Sequence, residues 1–304
     1  MIYDILIVGA GPAGLTAAIY GCRAGRSVLL LEGGIPGGQA ATSAEVENWP
    51  GTRRIFGAEF ATSLVAQAED LGAVLQYDSV VSAAAGEDGV KRVTGSSGAV
   101  YEGKTLILAN GVKRRSLGVP GEEKYRGRGV SYCATCDGAF FRGRETAVVG
   151  GGSAALEDAL YLSTLCSKVH LIHRRDSFRG EARLAQKVQE TPNIVLHLKW
   201  NVTEIMGDQS VIGVKLTDGS REEFLPCSGV FLAIGLIPDN QPFENLFSLT
   251  EGGYFDVDET LHAKVPGVFA AGDCRRKALR QLVTAASDGA VAAYEAEGYL
   301  SALS

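Results

Sequence analysis

One glycine-rich turn occurs twice in this chain, 141 residues apart, each time between an apolar run and a helical run. The first copy reads IYDILIV at 2–8, GAGPAG at 9–14, LTAAIYGCRAG, and SVLLLE ending at Glu32. That order is strand, tight turn, helix, strand. Gly9, Gly11 and Gly14 fill the positions of G-x-G-x-x-G, with Pro12 and Ala13 inside the motif, and Glu32 follows the first glycine by 23 residues. The second copy reads ETAVVG, GGGSAA at 150–155, LEDALYLSTLCS and KVHLIH, which places Gly150, Gly152 and Ala155 on the key positions. In this register Tyr20 meets Tyr161, Val28 meets Val169 and Glu32 meets His173. Two copies in register predict an α/β fold with two Rossmann-like nucleotide-binding domains.

Each turn would set backbone N–H groups and a helix N-terminus beside a pyrophosphate. The residue ending the second strand then distinguishes the riboses. Glu32 can accept from a ribose 2′-OH, which fits the adenosine half of FAD or NAD. The second copy has no carboxylate there. It carries His173, Arg174 and Arg175, with Arg179 and the turn residue Ser153 nearby. Arginines complement a 2′-phosphate, so the second site is expected to take NADPH rather than NADH. The bland alternative is a solvated basic patch.

The 304 residues have room for two domains, and an apolar fraction of 46% with 21% charged residues argues against disorder. Lys and Arg number 29 against 35 Asp and Glu, so no nucleic-acid partner is expected. Asp4 interrupts the first apolar segment, and no uncharged apolar window reaches the ~18 residues of a membrane span. A cytoplasmic location without a membrane partner is the default expectation.

The polar, turn-rich stretch 112–129 reads as a linker, and LPCSGVFLAIGLIPDN at 225–240 as a closing strand and a return linker. Residues 74–104 suggest short strands and hairpins flanking the first sheet. The tail holds a strand in VPGVFAAGDC and a helical stretch from about Leu279 to Glu297. It is too short for a domain of its own and is expected to complete the first one. The run Arg275-Arg276-Lys277 reads as a solvated face or part of a contact surface.

Between the two motifs lies Tyr132-Cys133-Ala134-Thr135-Cys136-Asp137. Two intervening residues permit a reversible disulfide across one tight turn. Zinc would need four ligands, and Cys22, Cys166, Cys227 and Cys274 are scattered singly and read as small core residues, so no metal site is expected. Asp137 is placed to protonate a leaving thiolate, or to cap a turn. A flavin is the natural adaptor between a hydride donor and a disulfide, which predicts FAD at the first motif and NADPH at the second.

The chain resembles the bacterial-type, low-molecular-weight thioredoxin reductases. The matching text is GAGPAGLTAA, GGQ at 37–39, EVENWPG at 45–51, CATCDG at 133–138, GGGSAALEDALYL at 150–162, HRRDSFR at 173–179, FAAGDC, and RQLVTAASDG, in order over nearly the whole chain. The resemblance implies a homodimer with a split FAD domain, here 1–114 and 245–304, around an NADPH domain at 115–244. It implies that Gly9, Gly11, Pro12, Ala13, Gly14, Glu32, Gly38, Gln39, Asn48, Gly272, Asp273, Arg280 and Gln281 contact FAD. It implies that Gly150, Gly152, Ser153, Ala155, His173, Arg174, Arg175 and Arg179 form the NADPH site. The implied cycle passes electrons from NADPH to FAD, to the Cys133–Cys136 disulfide through Cys136, and then from Cys133 to oxidised thioredoxin. Asp137 serves as acid–base residue, and the domains rotate between half-reactions. Asn110 stands where many relatives carry Thr or Ala, a change expected to alter a hydrogen bond near the domain junction. Other readings stay open: reduction of another thioredoxin-like or peroxidase-reducing disulfide protein, a ferredoxin- or flavin-fed relative, and a dinucleotide sensor without turnover. The arginines oppose the second of these, and the dithiol opposes the third.

Overall fold

The apolar run Ile2–Val8 pairs in parallel with Val28–Glu32 on one side and with Val100–Leu108 on the other. Ile5 to Val8, Leu29 to Leu31 and Leu106 to Leu108 are all buried, as expected for strands covered on both faces. These strands belong to the first of two compact units in the computed structural model, which describes residues 1–43 and 45–303. The first unit comprises residues 1–113 and 237–304, and the second comprises 114–236.

In the first unit the sheet order is Val74–Tyr77, Val28–Glu32, Ile2–Val8, Val100–Leu108, Lys91–Gly95 and Val80–Ala85. The outer edge of Val100–Leu108 is shared. Its first half pairs antiparallel with Lys91–Gly95, and its last residues pair in parallel with Val268–Ala270. The tail therefore contributes a strand to the first sheet. It also contributes the helix Leu282–Ala302, which lies against the helix Pro12–Arg23. Small residues allow that approach: a Cβ on Gly289 would sit 2.1 Å from the Ala13 carbonyl oxygen.

In the second unit five parallel strands run in the order Val130–Ser131, Gly229–Leu232, Glu145–Val149, Lys168–His173 and Ile194–Leu198. Alternate residues point to opposite layers. Val148, Val169, Leu171 and Phe231 pack with Leu156, Ala159, Leu162 and Val188 of the helices Ser153–Ser163 and Ala182–Glu190. Ala147, Val149, Ile172 and Val230 pack with Val202, Ile205, Val214 and Leu216 of an antiparallel three-stranded sheet.

Several expectations change. The stretch 112–129 is not a solvated linker, because Tyr125 and Glu122 are buried in the second unit. The return passage falls at 236/237, eight residues before the expected boundary at 244/245. Its reason is local: Asn240 donates to the carbonyls of Gly253 and Cys274, and Phe243 packs into the first core. The basic run is not a solvated face either. Arg275 makes a paired contact with Asp288 at 2.9 Å for both bonds, and Lys277 reaches the same carboxylate at 2.8 Å. Only Arg276 of the three is exposed, paired with Asp256. Among the described residues no helix is long and apolar enough to cross a membrane.

The Asp288 network makes a prediction. Burial would raise the Asp288 carboxyl, but the bonds to Arg275 and Lys277 outweigh it and hold the pKa below the ordinary range. A lowered folded-state pKa stabilises the fold above the unfolded value and loses that contribution as pH falls through the folded one. Asp288→Asn should cost about 3–5 kcal/mol at neutral pH, because buried Lys277 loses its carboxylate partner and buried Arg275 keeps only the exposed Glu259. It should also flatten part of the acid-side loss of stability below about pH 4. Urea unfolding of the apoprotein from pH 3 to 8 checks both, and a neutral-pH loss under about 1 kcal/mol would contradict the network's role.

Candidate functional site

The first glycine turn sits at the carboxyl ends of the central parallel strands. Gly9 has φ +99, and a Cβ there would lie 2.4 Å from the Ala109 carbonyl oxygen. A Cβ on Gly14 would lie 1.8 Å from the Gly9 carbonyl oxygen, so helix and turn meet backbone to backbone. Gly11 differs: its φ is an ordinary −76, and a Cβ there meets nothing within 4 Å. Two glycines thus serve the protein's own packing, and the third keeps open the surface where a pyrophosphate would lie. Pro12 begins the helix and Ala13 is buried beneath it. The open surface and its N–H groups fit a dinucleotide.

The other residues expected at the first site are each fixed by hydrogen bonds or close packing within the first unit. Glu32 accepts the N–H groups of Ala10 and Gly34, both at 2.7 Å, which fixes its carboxylate at the strand end. Gly38 folds over the turn, where its Cβ would meet the Gly11 Cα at 3.2 Å. Gln39 donates to the Val112 carbonyl, and Asn48 donates to Gln281 Oε1 at 2.9 Å. Gln281 caps the helix Leu282–Ala302 reciprocally with Thr284. The Gly272 N–H donates to Asp288 at 2.9 Å, which anchors the turn carrying Asp273. Arg280 lies over the Tyr254 ring, 4.3 Å from its centroid, and donates to the Asp273, Arg275 and Lys277 carbonyls.

The second turn repeats the design. A Cβ on Gly150 would lie 2.4 Å from the Ala233 carbonyl oxygen, while one on Gly152 meets nothing within 4 Å. Ala155 is buried, and the Ser153 hydroxyl accepts the Glu181 N–H. His173 does not face solvent. Its ring is tucked under Gly151 and stacked on Phe178, with Nε2 3.1 Å from the Ser177 carbonyl oxygen. Burial, together with the charges of the three arginines, lowers its pKa despite that bond, so His173 supports the turn as a neutral ring. Arg174 and Arg179 are exposed and Arg175 is half-buried. The Arg179 N–H donates to the Gly151 carbonyl at 2.7 Å, which holds the arginine loop against the glycine turn.

The dithiol belongs to the second unit. Cys133 and Cys136 form a disulfide with Cα atoms 5.3 Å apart, at the start and within the short helix Ala134–Asp137. Cys133, Cys136 and Asp137 are half-buried. The Ser131 hydroxyl donates to Asp137 Oδ2 at 2.6 Å and accepts the Cys133 N–H at 3.1 Å. Burial pushes Asp137 above the usual carboxyl range, against the Ser131 bond and the Arg114 charge. The free cysteines are different. Cys166, Cys227 and Cys274 are buried, and burial pushes the last two up to about 12, which leaves them inert.

Sequence reasoning missed the frame around the dithiol. The Tyr132 hydroxyl donates to Glu122 Oε1 at 2.8 Å, and Arg114 and Arg126 lie 5.0 and 5.6 Å from the Tyr132 ring centroid. Glu122 also accepts the Ser116 hydroxyl and the N–H groups of Leu117 and Gly118. Nothing in the stretch 112–129 marks Glu122 as different from its exposed neighbour Glu123.

The open glycines can be separated from the packed ones. Gly11→Ala and Gly152→Ala should leave apoprotein stability within about 0.5 kcal/mol of wild type. Each should weaken its own dinucleotide at least about tenfold. Gly14→Ala should destabilise the apoprotein itself. Calorimetric melting and ligand titration of all three check this, and full retention of both ligands by the first two variants would remove the assignment.

Comparison with known proteins leads to the same place. Residues 3–289 match the family model described as pyridine nucleotide-disulphide oxidoreductase. The thioredoxin reductase of Bacillus subtilis is 42% identical, over 99% of this chain and 96% of its own. That of Listeria monocytogenes is 43% identical, over 99% and 95%. Among solved structures, the thioredoxin reductase of Streptococcus pyogenes superposes with a TM-score of 0.94 at 39% identity, covering 99% of each chain. The one from Giardia duodenalis gives 0.93 at 35%, covering 98% of this chain and 99% of the other. A family match over most of the chain, carried on two glycine turns and a disulfide, places this protein in the pyridine nucleotide-disulphide oxidoreductase family.

Proposed function

We propose that this chain is an NADPH-dependent thioredoxin reductase, with FAD on the first unit and NADPH on the second. The observation that carries the reading is the Cys133–Cys136 disulfide beside Asp137, a carboxyl whose proton affinity is raised by burial. The family uses flavin and nicotinamide cofactors, and the full-length relatives in Bacillus and Listeria supply thioredoxin as the protein substrate. A homodimer is the expected working state.

The residues around Gly9, Gly11 and Gly14, with Glu32, Gly38, Gln39, Asn48, Asp273, Arg280 and Gln281, would hold FAD. Gly150, Gly152, Ser153, Arg174, Arg175 and Arg179 would hold NADPH, with His173 and Ala155 shaping the turn from below. A bound flavin supplies the two-electron relay between a nicotinamide hydride and a sulfur pair. The chain's own work is thiol exchange. In the reduced dithiol, the Cys133 thiolate attacks a sulfur of the partner disulfide, which breaks that bond and forms a mixed disulfide. The partner's other sulfur leaves as a thiolate. Cys136 then attacks Cys133, reforms the internal disulfide, and releases the partner's second sulfur. Asp137 hands its proton to a leaving thiolate, and the Ser131 hydroxyl orients the carboxyl for that transfer. The sulfur pair must meet an electron donor in one step and a protein in the other, so rotation of the units between steps is part of the proposal.

Anaerobic titration with NADPH tests the reading. Flavin absorbance should bleach and return on addition of oxidised thioredoxin. Cys136→Ser should keep the bleaching and lose thioredoxin reduction. A flavin that stays oxidised under excess NADPH would overturn the proposal, and return of colour only with another disulfide protein would reassign the partner. Asp137→Asn should slow thioredoxin reduction on the order of 10²-fold. Because Asp137 acts while protonated, the wild-type rate should fall as pH rises through its raised pKa, and the variant should lack that limb. Replacing Arg174 and Arg175 by Ala should raise KM for NADPH about 10–100-fold with little change for NADH. Equal losses for both would remove the phosphate assignment.

A further inference from the structure

Asn110 lies two residues beyond the strand Val100–Leu108, against the first glycine turn: a Cβ on Gly9 would come within 3.1 Å of the Asn110 Cα. Its neighbours fix which way its amide points. The Asn240 Nδ2 donates to the Gly253 carbonyl at 3.0 Å and to the Cys274 carbonyl at 2.8 Å. The Asn240 atom turned toward Asn110 is therefore Oδ1, an acceptor. The Asp239 carbonyl is a second acceptor on the same side. Asn110 answers both with its Nδ2, at 3.0 and 3.1 Å. A flipped amide would set oxygen against oxygen twice. The Asn110 Oδ1 must then point the other way, where it is buried and has no hydrogen-bond partner among the described residues.

A buried acceptor left without a donor is costly, and such an atom at the edge of a ligand site marks where a donor arrives. The strand order says which donor. Val28–Glu32 and Val100–Leu108 flank Ile2–Val8 on opposite sides. With the pyrophosphate over the turn after Ile2–Val8 and the adenosine ribose at Glu32, the flavin half of the dinucleotide leaves toward Asn110. The strand Val268–Ala270, which leads into Gly272 and Asp273, is on that side too. Phosphate oxygens offer only acceptors, whereas the ribityl chain offers hydroxyl donors.

We propose that Asn110 Oδ1 accepts a hydrogen bond from one ribityl hydroxyl of the flavin dinucleotide, so that Asn110 sets part of the affinity and the selectivity of the first unit for its flavin. The inference rests on the assignment of FAD to that unit.

The test is a binding cycle on the apoprotein. FAD and its 2′-, 3′- and 4′-deoxyribityl analogues are titrated into wild type and Asn110→Ala by calorimetry, with apoprotein melting as the control for folding. Wild type should bind one analogue about three- to tenfold more weakly than FAD. Asn110→Ala should bind FAD more weakly by a similar factor and show no further loss with that analogue. Additive losses would overturn the proposal. So would a wild type that binds all three analogues within about twofold of FAD, a result that needs no folded variant. A folded wild-type apoprotein that does not bind FAD would instead remove the flavin assignment, and this inference with it.

Discussion

The architecture depends on backbone meeting backbone at Gly14. A helix whose first turn lies against the Gly9 carbonyl leaves no room for a Cβ, which would sit 1.8 Å from that oxygen. The same helix is pressed from its other side by Leu282–Ala302, where Gly289 meets the Ala13 carbonyl almost as closely. The glycine turn is therefore clamped between a sheet and a distant helix. That clamp explains why a tail more than 230 residues away in sequence belongs to the first unit. It also leaves one glycine, Gly11, where an added Cβ would meet nothing within 4 Å. Packing forces two of the three positions to be small, and the proposed dinucleotide supplies a reason for the third.

The second unit solves the same problem with a different residue. Ala155 stands where the first copy has Gly14, so a real Cβ occupies space that is closed in the first turn. The turn compensates at its first glycine, which is nearly extended at φ +159 rather than +99. A Cβ on Gly150 would come within 2.7 Å of the Ala155 Cβ, so the pair tolerates one methyl but not two. The copies share the approach of a neighbouring strand's carbonyl, Ala109 in one and Ala233 in the other. They differ at the end of the second strand. Glu32 is held by two N–H groups and acts as a fixed acceptor. His173 is folded inward, and the arginines around it carry the charge outward.

Much of this was legible because periodicity and glycine spacing report backbone geometry directly. The two strand–turn–helix units, the dithiol between them and the tail strand all come from local text. The rest required partners distant in sequence. Arg275 and Lys277 read as part of a solvated face or a contact surface because nothing near them shows that Asp288, on a helix, would draw both inward. The motif marks the position of His173 but not that its ring fills the space beside Gly151. Glu122 was hidden in a polar stretch because its four donors come from a loop and from Tyr132, which only folding brings together. Asn110 was visible as a departure, but its meaning lay in Asn240, 130 residues away.

The frame around the dithiol shows how buried charge is used differently in the two units. In the first unit, Asp288 is ionised and fully matched, and its role is to hold Gly272 in place. In the second unit, Glu122 is likewise saturated by donors, and through Tyr132 it ties the residue before Cys133 to the segment that opens the unit. Asp137 is the exception. It has one strong hydroxyl donor, the Arg114 charge, and a burial penalty that outweighs both. An acid proposed to give up and regain a proton cannot be as well satisfied as Asp288, because full satisfaction would fix it in the ionised state. Rigidity is therefore placed beside the chemistry rather than on it: Ser131 orients the carboxyl, and Tyr132 anchors the backbone. Held by these two, Asp137 keeps a proton affinity that exchange with a thiolate can use.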